Sequence, residues 1–262
     1  MSEVFVVKGK NLVERSLKVL ELINPKPSEK TILIKPNLVE PFSKDSGAVT
    51  RPEVVEGIVK FFEGNDYEIV IGEGAAVEDT NQCFEKAGYY EIFSKHDVKL
   101  VDLNKGPFIK VKLNGKVLKE IEVAKIVLKS YLISVPVLKE HAFEVTLGLK
   151  NLMGILKPKN GYPTKSYFHA EGDYKVWAER MVDLATKIKP SLTLIDGTTG
   201  MFGSHLFGKL EKFDLTIGSK DVIAADWIGS LFLKKQEVYY LKLALERGIG
   251  TYPSKIHVIQ IS

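Results

Sequence analysis

The sequence predicts an α/β protein with a mostly parallel sheet, flanking helices and one inserted β-hairpin. Short β-branched runs alternate with longer amphipathic segments, the pattern of strands joined by crossover helices. Most of the runs end in a loop that leads to a helix. A third observation places the hairpin: Asn114-Gly115, the dipeptide favoured in tight two-residue turns, sits inside FIKVKLNGKVLKEIEV.

In chain order, the expected strands are VFVV near the start, TILIK to Lys35, YEIVIG to Gly72, VKLVDL to Leu103, YLISVPVL to Leu138, SLTLID to Asp196 and KIHVIQI near the end. The clearest helix start is TRPEVVEGIVKFF. Thr50 can cap it, Glu53 can complete a capping box, and Pro52 fits the first turn because its missing N–H is not needed there. Val54, Val55, Ile58, Phe61 and Phe62 then share one face. VWAERMVDLATKI, DVIAADWIGSLFL and EVYYLKLALERG are helices by apolar spacing, the last stopped by Gly248. Asp221 is expected as a helix cap, Asp226 as either a buried carboxylate capping a neighbouring loop, the favoured reading, or a member of the site, and Trp227 and Phe232 as core. One α/β domain is expected over residues 1–262, with a subdomain boundary near 157–174, where turn formers replace aliphatics.

Composition narrows the classes. The chain has 262 residues, 45% of them hydrophobic, enough for a substantial core. No apolar run reaches the roughly 18 residues of a membrane span, and MSEVFVVKGKNLVERSLKVL does not read as a secretory signal. A cytoplasmic protein is the expectation. Glutamine occurs only at Gln82, Gln236 and Gln260 beside abundant Lys and Glu, a balance that suits a heat-adapted cytosol. The lone Cys83 excludes an internal disulfide and any thiolate cluster of this chain. A net charge of +4, spread along the chain, gives little reason to expect nucleic acid.

In a parallel sheet ligands meet the carboxyl ends of the strands, so polar residues at strand ends are read as one set. IKPN gives Lys35 and Asn37, GEG gives Glu73, VPVLKEH gives Lys139 and His141, and IDGTTG gives Asp196 and Thr198. Thr50 and Arg51 stand at a helix start, where free N–H groups can share an anion. Lys150 and Asn151 follow in TLGLKNLMG. Each taken alone is also read blandly, as a rim lysine, a turn asparagine or an exposed cap arginine. His141 is singled out because a neutral imidazole can bind a metal or move a proton near pH 7. His169 and His205 lie on other polar loops, but no HxH or HExxH spacing supports a metal site.

IKPNL, TRPEVVEGIVKFF, VIGEG, VPVLKEHAFEVTLGLKNLMGI, IDGTTGMFG and IGSKDVIAADWIGS, in that order, resemble the successive blocks of the family called domain of unknown function 362. Members are often fused to ferredoxin-like iron–sulfur modules, which here implies a separate ferredoxin-like partner. Thr50-Arg51-Pro52 and the stretch from His141 to Lys150 are also similar to segments of the nickel-pincer lactate racemases. That similarity implies an arginine holding a carboxylate, a histidine in proton transfer or at the cofactor, and a lysine tethering the cofactor. The loop that carries a further histidine in those enzymes reads GEGAAVED here.

The leading expectation is an enzyme whose cleft binds a small anionic metabolite, a carboxylate or phosphate. Lys35, Arg51 and Lys150 would supply charge, with Asn37, Thr50, Lys139 and Asn151 around them. His141 would be the acid/base, oriented by Glu73 or Asp196, with Lys150 also catalytic. No metal ligand is assigned and the cofactor is left unknown. The alternative is a binding or redox-partner protein that docks with an iron–sulfur protein and does no chemistry itself.

Overall fold

Residues that alternate between two apolar faces dictate the core. Ile32 and Ile34 pack with one cluster while Leu33 packs with the other, and Ile69 and Ile71 are split from Val70 in the same way. A strand buried on both faces needs such a run, and helices must cover each side. The computed structural model describes residues 1–77, 79–159 and 165–261.

Its elements in chain order are β1 (Ser2–Lys8), α1 (Leu12–Ile23), β2 (Thr31–Pro36), α2 (Pro52–Phe62), β3 (Glu68–Glu73), α3 (Thr80–Lys86), α4 (Tyr89–Phe93) and β4 (Val98–Asp102). Next come β5 (Phe108–Lys112), β6 (Glu120–Ala124), β7 (Ser130–Val135), β8 (Val137–His141), β9 (Glu144–Thr146), α5 (Gly148–Asn151) and α6 (Tyr174–Ala185). β10 (Leu192–Phe202), β11 (Lys209–Ser219), α7 (Val222–Phe232), α8 (Tyr239–Glu246) and β12 (Ile256–Ile261) complete the series. A ten-stranded sheet runs β12-β1-β11-β10-β7-β2-β3-β4, with β8 beside β10 and β9 beside β8. β11 is antiparallel to both β1 and β10, and β9 to β8; the other pairs are parallel. Helices α1 to α4 pack on one face and α6 to α8 on the other.

The chain moves from β2 outward through β3 and β4, then returns to lay β7 on the other flank of β2. That reversal opens a crevice beyond the carboxyl ends of β2 and β7, the place where open α/β sheets take ligands.

Several local expectations are corrected. YLISVPVL is not one strand: Pro136 lacks the N–H that a ladder requires, and the chain breaks there into β7 and β8. The hairpin exists as a separate two-stranded sheet, but Lys112 pairs with Glu120, so Asn114-Gly115 lies in a longer loop and not in a two-residue turn. Asp183 on α6 draws that loop open by accepting the amides of Lys116, Val117 and Leu118 at 2.7–2.8 Å. The Thr50–Glu53 capping box does not form. Arg51 occupies the cap position of α2 with no side-chain cap bond, while the Thr50 hydroxyl donates to Val135 O at 2.6 Å. Gly248 stops α8 as expected, with φ +72°, and Asp221 caps α7. α1 and β11 are additions to the reading. The expected boundary at 157–174 falls in part, at 160–164, outside the described residues. Among the described residues no helix is long and apolar enough to cross a membrane.

Candidate functional site

At the end of β2, Pro36 halts the ladder and Lys35 turns into the crevice, fully buried. Its Nζ lies 2.7 Å from Glu73 Oε1 and donates to Asn151 Oδ1 at 3.0 Å and Pro36 O at 2.8 Å. Burial pushes the Lys35 pKa down, and Glu73 pushes it back up. Glu73 ends β3 and is held in turn: Oε2 accepts the Leu38 amide at 2.8 Å and Oε1 the Gly74 amide at 2.7 Å. Gly154 must lack a side chain here, because a Cβ would stand 2.1 Å from Glu73 Oε1 and 2.5 Å from Lys35 Cε.

Asn151 completes this floor. Its Nδ2 donates to Lys35 O at 3.0 Å and Ser134 Oγ at 3.1 Å, and its Oδ1 receives Lys35 and, at 3.2 Å, Asn37 Nδ2. Asn151 and Lys150 ride on the single turn α5. Asp226 of α7 accepts the first two amides of that turn, Gly148 at 2.7 Å and Leu149 at 2.9 Å, and the Tyr240 hydroxyl at 3.2 Å. Burial raises the Asp226 pKa to about 7 against those three donors, which favour the charged form.

Alternation along β8 explains Lys139-Glu140-His141. Lys139 and His141 point to the buried side. Glu140 points away, accepting the Gly203 amide at 2.7 Å and pairing with Lys235 at 3.2 Å. The Lys139 amine is fully enclosed, donates to Ala48 O at 2.6 Å, and has its pKa drawn down to about 7 by burial and then by Lys150. His141 is followed not by a helix but by the tight return to β9. There Nδ1 accepts the Phe143 amide at 2.9 Å. An amide can only donate, so in the neutral ring the proton stands on Nε2. Burial first and Lys150 second hold His141 well below the usual histidine range.

His205, on the turn between β10 and β11, lies with its ring 4.4 Å from that of His141, and His169 stacks 6.3 Å away. Burial lowers both to about 4, with Lys139 the next cause for His205 and Lys150 for His169. Lys165, also buried, donates to Gly74 O at 2.6 Å and Asn104 Oδ1 at 2.8 Å, with its pKa lowered to about 7 by burial. Two residues after His205, Phe207, 80% exposed, meets Phe42 edge to face at 5.4 Å.

Together these groups line a cleft of about 310 Å3. Of the residues expected from sequence, Lys35, Asn37, Glu73, His141, Lys150 and Asn151 line it, and Lys139 stands behind its wall. Thr50, Arg51 and Asp196 do not, so the expected meeting of Arg51 with His141 and Lys150 is corrected. Arg51 opens instead on a separate groove of about 480 Å3 with Thr198 and Thr199. Its NH1 lies 3.5 Å from Asp196 Oδ2, and its backbone amide donates to the same oxygen at 3.1 Å, because Asp196 sits where β10 passes under the start of α2. Neither Glu73 nor Asp196 orients His141; the Phe143 amide does. Lys165 and His205 were outside the assigned set. His205 carried a signal, the glycine-rich GMFGSHLFG loop, and Lys165 carried none. A larger hollow of about 490 Å3 beside the β5–β6 hairpin pairs Lys110 with Glu120 and Lys157 with Glu122, while Lys159 lies over the Tyr167 ring and Arg180 donates to Tyr167 O.

The nickel cofactor implied by the racemase likeness needs donors converging on one point. Among the described residues no three His, Cys, Asp or Glu side chains could hold a metal ion, and His141 has committed Nδ1. This donor set does not fit a protein-held metal.

A family model described as "Domain of unknown function (DUF362)" matches residues 32–230. A curated relative, the thylakoid-associated protein sll1697 of Synechocystis sp., is 25% identical over 234 residues, 87% of this chain and 70% of that protein. Among solved structures, the lactate racemase apoprotein of Thermoanaerobacterium thermosaccharolyticum aligns with a TM-score of 0.48 at 15% identity. That alignment covers 87% of this chain, which spans only 56% of the racemase.

Proposed function

The chain belongs to the domain of unknown function 362 family, and from that premise we propose that its cleft binds a small carboxylate or phosphate and moves a proton on it. One observation carries this reading: among the described residues, the cleft and its wall hold Lys35, Lys139, Lys150 and Lys165 against two carboxylates, the buried Glu73 and the half-buried Glu40. Glu73 is matched to Lys35. Charge left unmatched in a low-dielectric crevice is relieved by an anion.

His141 acts as a neutral donor. Its Nε2–H hydrogen-bonds to a ligand oxygen that gains negative charge, the part a neutral imidazole plays as an electrophile. His205, neutral at pH 7 and adjacent, supplies a lone pair to take a proton. The position of the cleft at the sheet's reversal and its one-sided charge support a ligand of metabolite size.

The test is a thermal-shift and calorimetry panel of small carboxylates and phosphates on the wild type, K150M and H141Q. At least one anion should raise the melting temperature of the wild type, with K150M weakening its binding about tenfold or more, the scale of one lost charged contact. H141Q should bind but lose any turnover found. If no anion binds, or K150M binds as well as wild type, the reading fails.

A further inference from the structure

Four lysines share the cleft region, and three of them have their protons placed. Lys35 faces Glu73 and two further oxygens, Lys139 donates to Ala48 O, and Lys165 donates to Gly74 O and Asn104 Oδ1. Lys150 differs. Among the described residues its Nζ meets no oxygen within hydrogen-bond distance: it lies 3.8 Å from Met153 Sδ and 5.9 Å from the centroid of the Trp177 ring. A thioether is a weak acceptor and an indole face offers none of the directed oxygens an ammonium needs when 91% of its surface is removed from water. Such surroundings disfavour the ammonium relative to water, so a fraction of this side chain stands as the free amine, whose lone pair is a nucleophile.

We propose that Lys150 forms an imine with an aldehyde or 2-oxo acid, which would make carbonyl acids the substrate class of this cleft. The inference rests on the anion reading, since the acid's carboxylate is held in the field of Lys139 and Lys165. The Nζ lone pair adds to the carbonyl carbon, and the C=O π pair moves onto oxygen, which accepts a hydrogen bond from His141 Nε2–H. The new ammonium gives one proton to His205, which hands it to that oxygen, leaving a neutral carbinolamine. His205 then takes the second nitrogen proton and delivers it to the hydroxyl, so that the C–O bond breaks, water leaves, the nitrogen lone pair forms the C=N bond, and both histidines end neutral as they began. Amine and carbonyl thus give imine and water, with no change of oxidation state. Burial, which lowers the Lys150 pKa to about 8, keeps a useful fraction of the amine unprotonated near neutrality.

The experiment treats the whole protein with glyoxylate and sodium cyanoborohydride, then reads intact mass and maps peptides, with oxalate as a carbonyl-free competitor. Expected is one adduct, on Lys150, weighing the probe acid less one oxygen atom, suppressed by oxalate and missing from K150R. If oxalate raises the melting temperature but no adduct forms on Lys150, the imine is overturned and the anion reading stands. If oxalate neither binds nor protects and Lys150 stays unmodified, both fall. Adducts spread over surface lysines, equal in wild type and K150R, also overturn the imine. Should K150R fail to fold, the wild-type pH profile decides. Trapping on Lys150 that rises about tenfold per pH unit and levels off above about 8 supports the proposal, and a rise continuing as for an ordinary surface lysine ends it.

Discussion

Two buried clusters were built from the same materials, cations and carboxylates at strand ends, and they behave differently. Around Asp196 each charged side chain has a partner, though Arg15 Nε makes no hydrogen bond. Oδ2 takes the Arg51 amide and guanidinium, Oδ1 takes the Thr198 amide at 3.0 Å and hydroxyl at 2.6 Å, and Arg15 reaches Thr198 Oγ1 at 2.6 Å and Gly9 O at 2.7 Å. Across the sheet reversal, the cleft gathers lysines that outnumber its carboxylates, and among the described residues one amine, that of Lys150, has no oxygen within hydrogen-bond distance. The difference teaches that an ionisable group marks a site less by being buried than by being left without a counterpart. The Asp196 cluster staples α1, α2 and β10 together; the cleft keeps a surplus for something that arrives from outside.

The contrast can be broken most forcefully at Asp196. D196A leaves Arg51 buried without its carboxylate and Arg15 with only Asp214 at 3.9 Å, and should cost about 3–5 kcal/mol in urea unfolding, the usual penalty for stranding one partner. The folded fraction should still bind the anion found for the cleft. A loss of binding with intact stability would reverse the roles assigned to the two clusters.

A smaller effect is expected inside the cleft. G154A drives a methyl into the Lys35–Glu73 pair and should cost about 1–3 kcal/mol by overpacking, with weakened anion binding measured by calorimetry. The same change at an open glycine such as Gly64, where a Cβ meets nothing within 4 Å, should leave binding alone.

The gentlest probe is pH. Lys139, Lys165 and Lys150 titrate at about 7, 7 and 8 in the folded chain, below the 10.5 of an unfolded lysine. Between those values the unfolded state binds more protons, so stability must rise with pH, on the order of 1 kcal/mol per unit for each group fully shifted. Urea midpoints should therefore climb from pH 7 to 9 in the wild type and climb less in K150M, while anion affinity falls over the same window as the cations are lost. Midpoints that fall instead would mean the lysines are paired after all.

Much of this was legible in the sequence for a simple reason. A strand buried on two faces must be an apolar run, and a polar residue closing that run lies at the rim; hence Lys35, Glu73 and His141. The rule gives the rim and not the direction. Arg51 and Asp196 also stand at strand or helix ends, but β10 passes on the far side of β7 and carries Asp196 beneath α2 instead of into the crevice. Pro136 split one expected strand because it lacks the N–H that a ladder requires, and Asp183 overrode a good turn dipeptide by offering its loop amides a better acceptor. β11 was hidden by the charged start of KLEKFDLTIGS, half of which lies outside the buried sheet. With it went the hairpin that delivers His205. Lys165 follows no apolar run, so no periodicity announced it.

Asp226 settles one more matter. The turn bearing Lys150 has no capping side chain of its own and hangs by two amides from a carboxylate 77 and 78 residues further along the chain. It cannot drift toward an incoming molecule without breaking both bonds in a dry interior. The amine is preorganised by the rest of the fold, so most of the entropy of fixing it is settled before any ligand collides, and affinity is free to reflect contact alone.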